Sequence, residues 1–287
     1  MLTVIIGTTS ALIFGAADFL GGLAARRMSA VITTAIAGLT GLIVFSLALP
    51  FLGGSFSRGA VLLGAASGVA GAVAIGLLYA CLAIGPMSIL SPLTAVVSAI
   101  VPLTYGLIGG ERLGPIGYVA LAIALAAIVL VGFVPDKSAV RPSLKGVAMA
   151  IGSGIAIGVF LILIDATPDD SGIVPLVVNR ATNSTIMFAL VGVLAIIAWR
   201  RGSGPAHGAW RSGLALAVGC GVLDAIANAG LLLGVRLGEL SVISVLTALY
   251  PAGTIILAAI VLKERIARLQ YVGLVLAIAA AAMLALA

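Results

Sequence analysis

Residues 82–121 of this chain recur without a gap as residues 235–274, an offset of 153 (235 minus 82). Twelve of the 40 positions are identical. Gly85, Ser88, Ser91, Leu93, Thr94, Ala95, Ala99, Glu111, Arg112, Tyr118, Val119 and Leu121 return as Gly238, Ser241, Ser244, Leu246, Thr247, Ala248, Ala252, Glu264, Arg265, Tyr271, Val272 and Leu274. A chain rich in Ala, Leu and Gly gives apolar matches by chance. It does not place two serines, a threonine, a Glu-Arg pair and a tyrosine in register. The fold must therefore contain one design twice.

The solvent of that design is lipid. Charged residues are 8% of the chain and hydrophobic residues 62%, with a mean hydropathy of +1.33. Soluble domains carry about 25% charged residues. The 37 glycines suit membrane helices that approach closely. The formal charge of +6 does not point to nucleic acid, because the basic residues sit in short loops between apolar runs. Cys81 and Cys220 lie in apolar runs and are not repeat equivalents, since Cys220 falls opposite Ser67. They read as packing residues, without a disulfide or metal role. The first apolar stretch has neither a basic n-region nor a clear cleavage site and reads as a retained helix.

Ten apolar stretches are legible, near 3–24, 31–52, 60–83, 88–109, 113–134, 145–165, 173–199, 212–234, 241–262 and 268–286. Each has about the 20 residues that cross a bilayer as a helix. The polar segment 136–145 separates residues 1–136 from 145–287, giving two repeats of five spans. Five is odd, so the second repeat enters from the face opposite to the first. The predicted fold is all-α: a polytopic membrane protein of ten transmembrane helices in two inverted five-helix repeats. Loops after the odd-numbered spans hold 11 of the 15 basic residues, among them Arg26, Lys145, Arg200 and Lys263. The positive-inside rule places those loops in the cytoplasm.

The repeated elements are Leu-Thr-Ala at 93–95 and 246–248, Gly-Glu-Arg-Leu at 110–113, Lys-Glu-Arg-Ile at 263–266, and Tyr-Val at 118–119 and 271–272. Together with the five-plus-five organisation they resemble the EamA-type branch of the drug/metabolite transporter superfamily. The resemblance implies a secondary carrier, often an exporter of amino acids, other metabolites or drugs. It also implies, for some relatives, termini in the cytoplasm, opposite to the orientation read from charge.

Several polar residues stand inside apolar spans, where a charge costs about 2.5–3.5 kcal/mol or more. Asp18 in span 1 has two readings, a proton- or cation-coupling group or a solvated interfacial acid. Arg180 in span 7 has Asn179 beside it and Asn183 on the same helix face, a set that could grip an anionic group. Asp224 and Asn228 share a face of span 8, and Asp224 is a partner for Arg180 and a second proton-coupling candidate. Spans 4 and 9 carry matched stripes: Ser91, Thr94, Ser98 and Tyr105, then Ser244, Thr247 and Thr254. The stripes either line a cavity or pack helices together. Pro102 and Pro251 lie near mid-span, where they free backbone carbonyls. Tyr79 and Tyr250 are aromatic walls for a solute, Trp199 an interfacial anchor, and His207 a solvated loop residue. Glu111-Arg112 and Glu264-Arg265 read as pairs that brace span ends.

The expectation is a transporter, not an enzyme, of a small organic metabolite, amino acid or drug, with export by alternating access coupled to protons. The alternative is a lipid-linked sugar flippase or an uncoupled facilitator. No Walker A, HExxH or GxSxG motif is present. No cofactor, metal or nucleic-acid partner is expected. The setting is the lipid of a plasma or inner membrane, crossed many times, and the protein is a monomer or a homodimer.

Overall fold

A computed structural model of the chain describes all residues except 26, 85–86, 133–142, 201–209, 262, 264–266 and 287, and all their side chains except those of 79–84, 87–89, 91–92, 132, 210–212, 258 and 285–286. The helices are α1 (Leu2–Ala25), α2 (Ala30–Leu52), α3 (Arg58–Ile84), α4 (Met87–Ile108), α5 (Pro115–Gly132), α6 (Leu144–Asp165), α7 (Val174–Arg200), α8 (Trp210–Leu237), α9 (Leu240–Thr247), α10 (Tyr250–Val261) and α11 (Arg268–Leu286). In lipid a backbone must satisfy its own hydrogen bonds, which selects helices. Local chemistry sets their starts. Ser29 caps α2 by accepting from the Ile32 N–H at 3.2 Å, and Ser143 caps α6 from Gly146 at 3.1 Å. Pro115 opens α5, where its missing N–H costs nothing.

These helices match the ten expected spans, with one correction. Span 9 is not continuous. It breaks at Ala248–Leu249 into α9 and α10. Pro251 has no N–H for the Thr247 carbonyl, and the Ala252 N–H turns to Leu249 at 2.9 Å. The repeat partner α4 runs unbroken through Pro102. Among the described residues, seven spans are long and apolar enough to cross a bilayer, counting α9 and α10 together, and three more are shorter apolar helices. Large apolar side chains face outward, among them Phe51, Ile108 and Ile278, which is the surface a lipid-embedded protein presents.

The two sets of five interleave. α1 packs on α8, and its counterpart α6 packs on α3. α3 packs on α7 as α8 packs on α2, and α4 on α6 as α9 and α10 on α1. α2 with α7, α5 with α11, and α4 with α9 meet across the centre. Exchanging the first five spans for the second five leaves this partner list unchanged, as a twofold relation requires. Close approach repeats as well. A Cβ on Gly68 would meet the Asn179 backbone of α7, and one on Gly221, 153 residues later, would meet the Ala37 backbone of α2. One face is tied by its loops. Gly54 (φ 142°) and Gly172 (φ 52°) press backbone to backbone, positions no other residue could fill without strain. There Ser55 donates to the Asp170 carboxylate at 2.7 Å, and the Ile173 N–H donates to the Gly53 carbonyl at 3.3 Å.

Candidate functional site

A cavity of about 210 Å³ lies among α1, α3, α4, α6, α7, α8, α9 and the start of α10. Its polar lining is Asp18, Ser98, Asn179, Arg180, Asn183, Asp224, Asn228, Ser244, Thr247 and Tyr250. Phe14, Ile75, Leu78, Phe160 and Leu231 are among its apolar walls.

The central contact is an ion pair. Arg180 and Asp224 meet at 2.5 Å, with side chains 12% and 26% exposed. Asn228 is 3% exposed and its amide donates to the Asp224 carboxylate at 3.2 Å and to the Asp224 carbonyl at 2.8 Å. The one-turn spacing of 224 and 228 on α8 makes this possible. Arg180 Nε is buried without a hydrogen-bond partner. The guanidinium is thus only partly satisfied by Asp224 and retains capacity for a solute oxygen. Gly41 of α2 faces the arginine chain, where a Cβ would lie 3.4 Å away, in ordinary van der Waals contact. Asn179 is pinned from behind, donating to Ser67 of α3 at 2.8 Å. The Asn183 amide lies between Gly38 and Gly71. Asp18 and Tyr250 approach from α1 and α10. With all three groups ionised, Asp18 and Asp224 outnumber Arg180, so the cavity carries one excess negative charge.

Most of the residues picked out in the sequence have a described place. Arg180, Asn183, Asp224, Asn228, Ser244, Thr247, Tyr250 and Asp18 come together around this one space. Thr94 does not join them, and its expected place in the cavity is corrected. It is fully buried where α4 meets α6, and its hydroxyl donates to the carbonyls of Leu90 at 3.0 Å and Ala150 at 3.2 Å. The stripe of α4 reaches the cavity through Ser98, whereas Tyr105 is 52% exposed on the outer surface. Thr247 bonds to its own preceding turn, to Ile243 at 2.8 Å, yet still lines the space beside the helix break. The side chains of Tyr79 and Ser91, like His207 and Glu264-Arg265, lie outside the described residues. Among the described residues no cluster of metal-ligating side chains occurs.

The apolar walls carry no chemical signal of their own in the sequence. Phe14, Ile157 and Leu161 look like any lipid-facing residue until the packing turns them inward. A symmetry signal was available. Placing Gly15 opposite Gly158 (offset 143) pairs Phe14 with Ile157 and Asp18 with Leu161, and all four line the cavity. At offset 153, Gly71, Ile75 and Leu78 fall opposite Asp224, Asn228 and Leu231, and all six line it too. The cavity is therefore lined by residues at matching places in both halves. Membrane proteins built from internal repeats commonly place their binding sites at the repeat interface.

Residues 144–286 match the EamA-like transporter family model, and the chain belongs to this family of the drug/metabolite transporter superfamily. The match covers the second repeat, and the first is joined to it by the internal repeat. The fold is similar to that of a solved crystal structure described only as that of a protein. That similarity spans 99% of this chain and 96% of the other, with a TM-score of 0.77 at 17% identity. No curated protein matches the sequence.

Proposed function

We propose that this protein is a secondary active carrier that exports a small organic metabolite, amino acid or drug by alternating access, coupled to protons. The observation that carries this reading is the convergence of Arg180, Asp224 and Asp18 on one cavity lined by both halves. Buried charge is costly in a bilayer and stands where ions or solutes pass. Arg180 holds an anionic group of the solute and is balanced by Asp224 when the cavity is empty. Asn183, Asn228, Ser244 and Thr247 supply neutral hydrogen bonds, and Phe14, Phe160 and Tyr250 cover an apolar portion. Asp18 or Asp224 exchanges the proton. The first repeat's contribution from α4 is Ser98, not Thr94. The protein sits in a plasma or inner membrane with the basic loops after α1, α5 and α7 in the cytoplasm. It is a carrier and not an enzyme.

The test is transport by proteoliposomes across an imposed pH gradient, screened with labelled amino acids, nucleosides and organic cations. A carrier of this kind accumulates one class against its gradient and loses that accumulation when a protonophore collapses the pH difference. Equilibration without accumulation would select the uncoupled facilitator, and translocation of lipid-linked sugar alone would select the flippase. The basic loops give a separate check. An impermeant thiol reagent added to intact cells should fail to reach a cysteine at Lys145 or Arg200. Labelling from outside would reverse the orientation.

A further inference from the structure

Glu111 leaves its own repeat. It sits in the loop between α4 and α5, and its carboxylate crosses to the start of α9. One oxygen accepts the Leu240 N–H at 2.8 Å, and the other accepts the Ser241 N–H at 3.1 Å and the Ser241 hydroxyl. A carboxylate on the free N–H groups of a helix start gains from both hydrogen bonds and the helix dipole. Gly106 makes the crossing possible, because a Cβ there would run into the Glu111 carboxylate.

What Glu111 holds is a short separate unit. All eight residues of α9 are buried, the helix break follows directly, and Ser244 and Thr247 on it line the cavity. α9 is therefore anchored at one end by a carboxylate from the other repeat and freed at the other end by the missing Pro251 N–H. The corner is also electrostatically loaded. Acidic groups gather here: Glu111, Asp169 and Glu239 act on Asp165 at the end of α6, and Glu239 has its carboxyl pushed above the usual range by desolvation and by Glu111.

We propose that Glu111 is a latch: docked on α9, it closes the central cavity at the membrane face that carries the α4–α5 and α8–α9 loops, and its release lets α9 move to open that face. The loop contacts of Ser55 with Asp170 and of Arg236 with Ser171, at 3.0 Å, seal the remainder of the same face. The proposal uses the carrier reading only for its consequence, which is transport. Its test needs no solute, so failure of the transport screen and failure of the latch are separate results.

The experiment places one cysteine at Ser98, inside the cavity, after Cys81 and Cys220 are replaced by alanine, in the full chain reconstituted in sided vesicles. The readout is the rate of labelling by an impermeant maleimide from each face. Glu111→Gln keeps the size and removes the charge. It should speed labelling from the latch face about tenfold, which corresponds to ~1.4 kcal/mol. Glu111→Asp should fall between Gln and wild type. Ser241→Ala removes one donor, leaves two, and should speed labelling by about threefold. It serves where the Gln variant does not insert. Unchanged labelling in an inserted Glu111→Gln or Ser241→Ala protein, with only thermal stability lowered, would reduce Glu111 to a static helix cap and overturn the proposal.

Discussion

The two halves of this molecule share a packing plan and divide its chemistry. At equivalent places around the cavity the first half offers Gly71 and Ile75, and the second Asp224 and Asn228. Opposite Arg180 (offset 146, pairing Ala35 with Ala181) stands Thr34, whose hydroxyl is used up on the Ala30 carbonyl at 3.0 Å. The first half answers with Asp18, where the second has Leu161. α4 is continuous and its counterpart is broken. Symmetry is kept in the glycine crossings and the helix partners. Asymmetry appears in the charged and amide groups that line the cavity, where the proposed solute site lies.

The largest effects should come from the asymmetric charges. Arg180→Ala leaves Asp224 without its partner, and breaking such a buried pair costs about 3–5 kcal/mol. Binding and transport should fall at least ~100-fold, and Asp224→Asn should do the same to transport while sparing insertion. Near-normal transport by both would make the pair a structural brace. Asp18→Asn is expected to spare solute binding in a thermal-shift assay and to abolish accumulation driven by the pH gradient. Intact pH-driven accumulation would remove Asp18 from coupling.

Pro251→Ala tests the broken helix. It restores an N–H to Thr247 and should make α9 and α10 continuous like α4. A mid-helix proline costs about 3 kcal/mol, so thermal stability should rise while turnover drops several-fold. Stability and turnover that both stay at wild-type values would mean that the break has another cause.

Smaller effects belong to the latch corner and to Thr94. The Glu239 carboxyl is raised in the closed form, so its contribution to closure is full at low pH and is lost as pH rises. Labelling from the latch face should accelerate as pH rises from below the ordinary Glu range to above it, and Glu239→Gln should flatten that profile. A flat wild-type profile would remove Glu239 from the corner's energetics. Thr94→Val removes an interhelical hydrogen bond of about 1 kcal/mol and should leave transport within about twofold. A larger loss would return Thr94 to the cavity.

Much of this was legible in the sequence for physical reasons. Lipid forces long apolar helices, so the ten spans stand out. An Arg or Asp within a span is costly, so Arg180 and Asp224 announced both themselves and their pairing. Hydroxyls are ambiguous, because Thr94 and Thr247 both satisfy themselves on the preceding turn and only packing decides which faces the cavity. Phe14 and Phe160 carried no signal, since an apolar side chain toward lipid and one toward a cavity look alike. The crossing of Glu111 to α9 was hidden for another reason. A carboxylate at a span end reads as a brace of its own helix until the other repeat is seen beside it.

The most direct test of the account compares equivalent positions in the two repeats. Solute binding and proteoliposome transport would be measured for wild type, Arg180→Ala and Thr34→Ala with the solute class found in the screen. The account predicts loss at Arg180 and retention of at least about half the wild-type rate at Thr34, because the Thr34 hydroxyl is already satisfied within its own helix. Equal retention, or equal loss, at the two positions would contradict a site whose chemistry lies in the second repeat.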